Sequence, residues 1–330
     1  MNENVSSLLQ MVVVGAGGIG CYYGARLLDA GHGVRFVARG KHLEALQRQG
    51  LTLRHPQFEY QGPVEALDLE ALSSTVSPAD IDAVLLCTKA IATEEVARSL
   101  GQWFARWGDT TLVVSLQNGV DNEATLARYL GEENVAGGLA VRIGGHIVAP
   151  GVVEATGIAQ VIMGAWPNDQ GKAEICQGAR ITVLAAAMEE AGIPARKVGN
   201  IRHELWRKLV INNGVNPLSA LTRLDTRTLS HHPRFASIVH DLMQEAARAA
   251  AADGERLTEQ DVEEMYELIR TFDPIKTSML VDLEKGRELE LDEISGAVLQ
   301  RARRIGLNAP YTEMVYALLR HRLEREGPER

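Results

Sequence analysis

Residues 11–31 read MVVVGAGGIGCYYGARLLDAG. A β-branched run ends in glycines, and a segment with helical apolar spacing follows and stops at Gly31. Gly15, Gly17 and Gly20, with Gly18 and Ile19 among them, form G-x-G-x-x-G. Alone the motif is weak, but after a strand and at the start of a helix it meets the context that a dinucleotide turn requires. The first glycine makes the tight turn, the second lets backbone approach a pyrophosphate, and the third lets helix and strand pack closely. The N-terminus of the helix then faces the phosphates. The other reading is a glycine-rich turn that binds nothing.

Outward from this turn the pattern repeats. GVRFVARG (33–40) alternates as a second strand, KHLEALQRQG (41–50) is helical, and DAVLLCTK (82–89) is a strand. A helix, IATEEVARSLGQWF (91–104), and a strand, TTLVVSLQNG (110–119), follow. Strands alternating with helices predict a parallel sheet with right-handed crossovers. Residues 136–165 differ: rich in glycine and β-branched residues, they predict antiparallel strands or hairpins. A helix over roughly 171–191 closes this part.

The end of the second strand bears on the cofactor. An NAD enzyme usually carries Asp or Glu there for the ribose 2′-hydroxyl. This chain has FVARGKH, with Arg39 and nearby Lys41 and no acid. A guanidinium matches a 2′-phosphate, so NADP(H) is expected over NAD(H), unless Arg39 is merely a solvated loop residue. Lys89 and Asn118 fall at the C-terminal ends of later strands, where ligands of open parallel sheets sit. Both also admit plain turn chemistry, since Asn-Gly is a turn signal.

From about residue 200 only helical patterns remain, in segments 232–254, 258–272, 273–286, 291–306 and 310–323. Asp, Thr or Pro opens several of them and Gly closes several. The boundary is placed near 197–204, giving an expected dinucleotide-binding domain at 1–199 and a helical substrate domain at 200–330.

Composition limits the alternatives. The 330 residues are 45% hydrophobic and 23% charged, enough for ordinary cores, and the net charge of −9 argues against nucleic acid as a partner. Cys21, Cys87 and Cys176 have no metal-type spacing and read as three packed thiols in a reducing compartment. The nine histidines show no HExxH pattern, so no metal is expected. No stretch reaches the ~18 apolar residues of a membrane span. The start, MNENVSSLLQM, lacks a basic n-region, and a soluble cytoplasmic protein is expected. EREGPER (324–330) reads as a frayed tail. The alanine-rich helical half leaves a homodimer open without requiring one.

ELWRKLVINNGVNPLSAL (204–221) is an apolar helical run with polar intruders. Lys208, Asn212 and Asn216 are four apart and share one ridge. An ordinary solvated face is the bland explanation, but aliphatics and Trp206 fill most other positions and asparagine is a poor helix former, and both count against it. Asn216 precedes Pro217, so the helix is expected to end or kink there, which also leaves Asn216 open as a cap. A hydride acceptor needs its carbonyl polarised and its nascent alkoxide protonated, and a lysine can do both. Asparagines can bind a substrate carboxylate or hydroxyl without adding charge. A second cluster lies in TSMLVDLEKGRELELDEISG (277–296), where Ser278 opens one helix and Glu290 and Asp292 the next. Helix-start roles are equally open for these, and physics alone does not single out Glu290.

Together, GAGGIG, ARG, TKA, QNG, LWRKLVINNGVNPLSAL and SMLVDLEKGRELELDEISG, in this order, resemble the ketopantoate reductase (2-dehydropantoate 2-reductase) family over nearly the whole chain. The resemblance implies a Rossmann-type α/β N-terminal domain and an all-α C-terminal domain of 6-phosphogluconate dehydrogenase-like architecture. It implies NADPH-dependent reduction of ketopantoate to (R)-pantoate, on the route to pantothenate and coenzyme A. By position, Lys208 matches the catalytic lysine and Glu290 the glutamate of the Thr-Glu-Ile-Asp motif. Asn118, Asn212, Asn216 and Ser278 match residues around substrate and nicotinamide. Gly15, Gly17, Gly20, Arg39 and Lys89 match cofactor positions. The chain departs from the family at Leu289, commonly Thr, at Ser295, commonly Asn, and at Ile275, where some members have Asn. These departures flank the expected substrate end, so another small 2-keto acid is the first rival, with β-hydroxyacid or opine-type dehydrogenases of similar architecture beside it. An NADP(H)-binding sensor without catalysis is the second.

Overall fold

The computed structural model describes residues 8–168, 172–272 and 274–326. The first seven residues and 327–330 of the expected tail lie outside the described residues. The chain divides into two compact units. One comprises residues up to Gln117 and Asn122–Ile201; the other comprises Asn118–Asp121 and everything from Arg202 onward.

In the first unit, β1 (Gln10–Val14) pairs in parallel with β2 (Gly33–Val37) and β6 (Ala83–Leu86). β5 (Glu65–Leu67), β7 (Leu112–Ser115) and β8 (Val135–Ala149) complete the parallel run β5-β2-β1-β6-β7-β8. This is the doubly wound order, with its switch point between β1 and β6. Side-chain alternation explains two apolar layers. Met11, Val13, Phe36, Leu85 and Val114 pack on one face with α1 (Gly18–Asp29) and α6 (Lys172–Glu190). Val12, Val14, Val37, Val84 and Val113 pack on the other with α4 (Thr93–Trp107) and α5 (Asn122–Leu130). Burying both faces is what makes these strands continuous apolar runs rather than alternating ones.

β8 pairs antiparallel with β9 (Val152–Ala165), as the glycine-rich stretch predicted. Beyond β9 lie elements that the sequence reading did not include. β3 (Leu51–His55) runs parallel to β9 and forms a hairpin with β4 (Phe58–Gly62), and β10 (Ala195–Lys197) also joins β9. α2 (Gly40–Gln49) precedes this hairpin, and α3 (Leu69–Thr75) follows β5, capped by Asp68, which accepts from Ala71 N at 2.7 Å. The expectation of three packed thiols is corrected: Cys21 is buried, Cys87 half-buried, and Cys176 exposed on α6.

The second unit is helical: α7 (Ile201–Thr222) from Arg202 onward, α8 (Thr226–His231), α9 (Pro233–Ala249), α10 (Glu259–Arg270), α11 (Ser278–Glu284), α12 (Ala297–Arg304) and α13 (Pro310–Glu326). Trp206, Leu209, Val215, Leu242, Met243, Met265, Val298 and Leu319 fill its core. Thr258 and Asp261 form a reciprocal capping box at α10. Of the expected end or kink at Asn216, the end is corrected, since α7 runs through Pro217 to Thr222. Proline there removes one intrahelical bond, but Val215, Leu218 and Ala220 are buried on either side of it, and that packing sustains the helix. Part of the expected frayed tail, 324–326, is likewise helical, at the end of α13. No helix among the described residues is long and apolar enough to cross a membrane.

Candidate active site

The first unit carries the glycine turn. Gly15 has φ 99°, the left-handed region glycine favours, and Gly15 N and Ala16 N both donate to Val37 O, at 3.1 and 3.0 Å. A Cβ on Gly20 would lie 2.2 Å from Gly15 O, so helix and turn approach as closely as the motif demands. Around Gly17 a Cβ would meet nothing within 4 Å. Gly17 is also the N-cap of α1, no side chain caps that end, and its first turn has no acid. The leading N–H groups therefore have no side-chain cap and a positive helix end behind them, an arrangement that fits a pyrophosphate. Gly18 plays another part. Its Cα abuts Gly145 of β8, where a Cβ would come within 2.0 Å, and Ile19 leans on the sheet core.

Arg39 follows β2 as the N-cap residue of α2. Its side chain is 77% exposed and lies 3.7 Å from Glu95 Oε1, itself 69% exposed. Such a pair is weak and easily given up. Lys89, half-buried, stands just beyond β6. Gln117 is a residue the sequence reading passed over. Buried, it donates to Thr88 Oγ1 (3.1 Å), Lys89 O (3.2 Å) and Thr93 Oγ1 (2.9 Å), tying the ends of β6 and β7 together. Its one signal in the sequence is a polar residue just past a fully buried, largely apolar strand.

The second unit gathers Lys208, Glu290 and Asn118. Asn118 Nδ2 donates to Glu290 Oε2 at 3.0 Å. Glu290 is 9% exposed and directly precedes the helical turn that continues into α12. Lys208, on α7, keeps some accessible surface as a residue, yet its ammonium is densely enclosed. That burial lowers its pKa to about 8, and the charge of Glu290 acts in the opposite direction. At neutral pH the group is still mostly protonated and close to releasing its proton, which suits a general acid. Burial, with help from neighbouring carboxylates including Glu290, pushes Glu293 upward.

Asn212 is half-buried and Asn216 buried, and neither carboxamide bonds to another described residue. Asn213, which the sequence reading did not single out, is fully engaged. Its Nδ2 donates to Leu242 O (3.0 Å) and Thr312 Oγ1 (3.1 Å), and its Oδ1 accepts from Ser295 Oγ (2.9 Å). Ser295 lies in a π-helical turn, Asp292–Gly296, that no local pattern predicted. Ser295 and Leu289, two of the positions that depart from the family, thus serve the buried interior of the helical unit. Ser278 is exposed at the first position of α11, behind the capping Thr277. Ile275 is also exposed.

Residues 11–168 match the family described as Ketopantoate reductase PanE/ApbA, and residues 200–323 match its C-terminal domain. A 2-dehydropantoate 2-reductase of Mesorhizobium japonicum is 32% identical, with 97% of this chain and 99% of that protein covered. The chain belongs to the ketopantoate reductase family. It is an oxidoreductase, and reductases of this family use NADPH. A further relative, the 2-dehydropantoate 2-reductase of Pyrococcus abyssi, is 27% identical over 97% of this chain and 99% of its own. The crystal structure of 2-dehydropantoate 2-reductase from Methylococcus capsulatus superimposes with a TM-score of 0.82 at 32% identity, covering 96% of this chain and 97% of the other.

Proposed function

We propose that this protein reduces ketopantoate to (R)-pantoate with NADPH, in the cytoplasm, on the route to pantothenate and coenzyme A. The observation that carries the proposal is Lys208: a buried ammonium with its pKa near 8, beside a glutamate that Asn118 holds. Residues 1–199 serve the cofactor and 200–330 the reacting carbonyl. The backbone at Gly15, Gly17, Gly18, Ile19 and Gly20 would receive the pyrophosphate, Arg39 the 2′-phosphate, and Lys89 and Asn118 the nicotinamide end. NADPH, when bound, supplies the hydride that reaches the carbonyl carbon of the 2-keto acid.

The chain's own residues do the rest. Lys208 donates a hydrogen bond to the keto oxygen, which polarises the carbonyl, and then gives its proton to the alkoxide. Glu290 keeps the lysine oriented and partly offsets its burial. Asn212, Asn216 and Ser278 bind the substrate carboxylate and hydroxyl through neutral donors. Neutral groups hold the anion without raising the lysine's pKa further.

The departures Ile275, Leu289 and Ser295 favour one second reading, a different small 2-keto acid on the same machinery. Ile275 puts an exposed aliphatic side chain where some family members offer a carboxamide. A sensor that only binds NADP(H) has no use for a lysine tuned toward neutral pH.

NADPH oxidation by the purified protein, with ketopantoate beside other 2-keto acids, separates these. A site that hydrogen-bonds the substrate hydroxyl rejects analogues lacking it strongly, so kcat/KM should favour ketopantoate on the order of 10²-fold or more. NADPH binding without ketopantoate turnover would move the substrate to whatever suits Ile275 and its surroundings.

A further inference from the structure

We propose that Arg301 and Asp121 form a positioning pair that holds Asn118 on Glu290; this rests on the reading of Asn118 and Glu290 as site residues. Residues 118–121 pack with the helical unit, while Gln117 and Asn122 on either side belong to the other unit. The segment has no regular secondary structure, and Gly119 adopts φ 103°. Its geometry therefore depends on side-chain anchors. One anchor is the bond from Asn118 to Glu290.

The other is at Asp121. Arg301 Nη1 donates to Asp121 Oδ2 at 2.9 Å and Nη2 to Asp121 Oδ1 at 2.5 Å, a two-pronged grip that fixes the carboxylate in plane and direction. Arg301 is itself fixed. Its side chain is 8% exposed, and its Nε donates to Asp253 Oδ2 at 2.8 Å. Its guanidinium lies 5.8 Å from the ring centroid of Trp206, a fully buried residue two positions before Lys208 on α7. One guanidinium thus touches both the segment that bears Asn118 and the helix that bears Lys208. Apolar packing would stabilise such a place at least as well, because burying a charge is unfavourable. What the paired charges add is a single register for the segment.

The test is a double-mutant cycle in the full-length protein, following ketopantoate reduction by NADPH. Asp121→Asn keeps shape and loses an acceptor charge. It should lower kcat roughly tenfold through a displaced Asn118. KM for NADPH should stay within about twofold. In an Asn118→Ala background the same change should alter kcat by less than about twofold, because the group it positions is gone. Arg301→Lys, which keeps the charge and loses the fork, should repeat both results. A normal kcat in Asp121→Asn, or losses from Asp121→Asn and Asn118→Ala that multiply, would overturn the proposal. An Asn118→Ala enzyme with unchanged kcat would remove the reading of Asn118 itself, and this inference with it.

Discussion

Replacing Lys208 by alanine is expected to lower kcat for ketopantoate reduction by roughly 10²–10⁴-fold, the usual contribution of a positioned general acid. None of the other proposed site residues can take its place. Glu290 is oriented by Asn118 and serves as the lysine's counter-charge. Asn212 and Asn216 carry no transferable proton at accessible pH. Lys208→Arg should not rescue the loss, because guanidinium holds its proton too tightly and has a different shape. NADPH affinity, measured by fluorescence titration, should be nearly unchanged, since Lys208 is not among the proposed cofactor contacts. Near-normal turnover in Lys208→Ala would contradict the proposed mechanism.

Arg39→Ala is expected to lower kcat/KM for NADPH by roughly 10–100-fold, the scale of a charged hydrogen bond to phosphate. NADH, which lacks the 2′-phosphate, should be affected within about twofold. The exposed contact of Arg39 with Glu95 is easily exchanged for a phosphate, so the wild-type protein should favour NADPH despite it. Steady-state kinetics with both cofactors decides the matter. Equal losses with NADPH and NADH would take Arg39 out of the 2′-phosphate role.

The nucleotide-binding half was legible because its signals are local. Buried parallel strands such as 11–14 and 83–86 are continuous β-branched or aliphatic runs, and the glycines that follow β1 mark the tight turn into α1. The β3–β4 hairpin was not legible in the same way. Its strand partner β9 lies about a hundred positions further on, and β5 has only three residues. The polar ridge of α7 stood out because Lys208 and the asparagines interrupt an apolar pattern. Whether Pro217 ended that helix depended on tertiary packing, which outweighs the local preference.

Asn213 gave no signal and Ser295 only a departure from the family pattern, because the bond that joins them spans 82 positions. The bond between Arg301 and Asp121, 180 positions apart, was invisible for the same reason. Glu290 could be chosen over Glu288, Asp292 and Glu293 only through the family resemblance. In the structure Asp292 is engaged with Tyr316 and Arg320, whereas Glu290 is near Lys208 and accepts from Asn118.

The central claim is that Lys208, balanced by Glu290, is the acid. The direct measurement is the pH dependence of kcat/KM for ketopantoate reduction, in the wild-type enzyme and in Glu290→Gln. Only protonated Lys208 can donate, so the rate should fall as pH rises through about 8. Glu290 raises the lysine's pKa, so removing its charge should move that midpoint to lower pH. A wild-type profile that stays flat well above this range, or a Glu290→Gln midpoint that stays put or rises, would contradict the account.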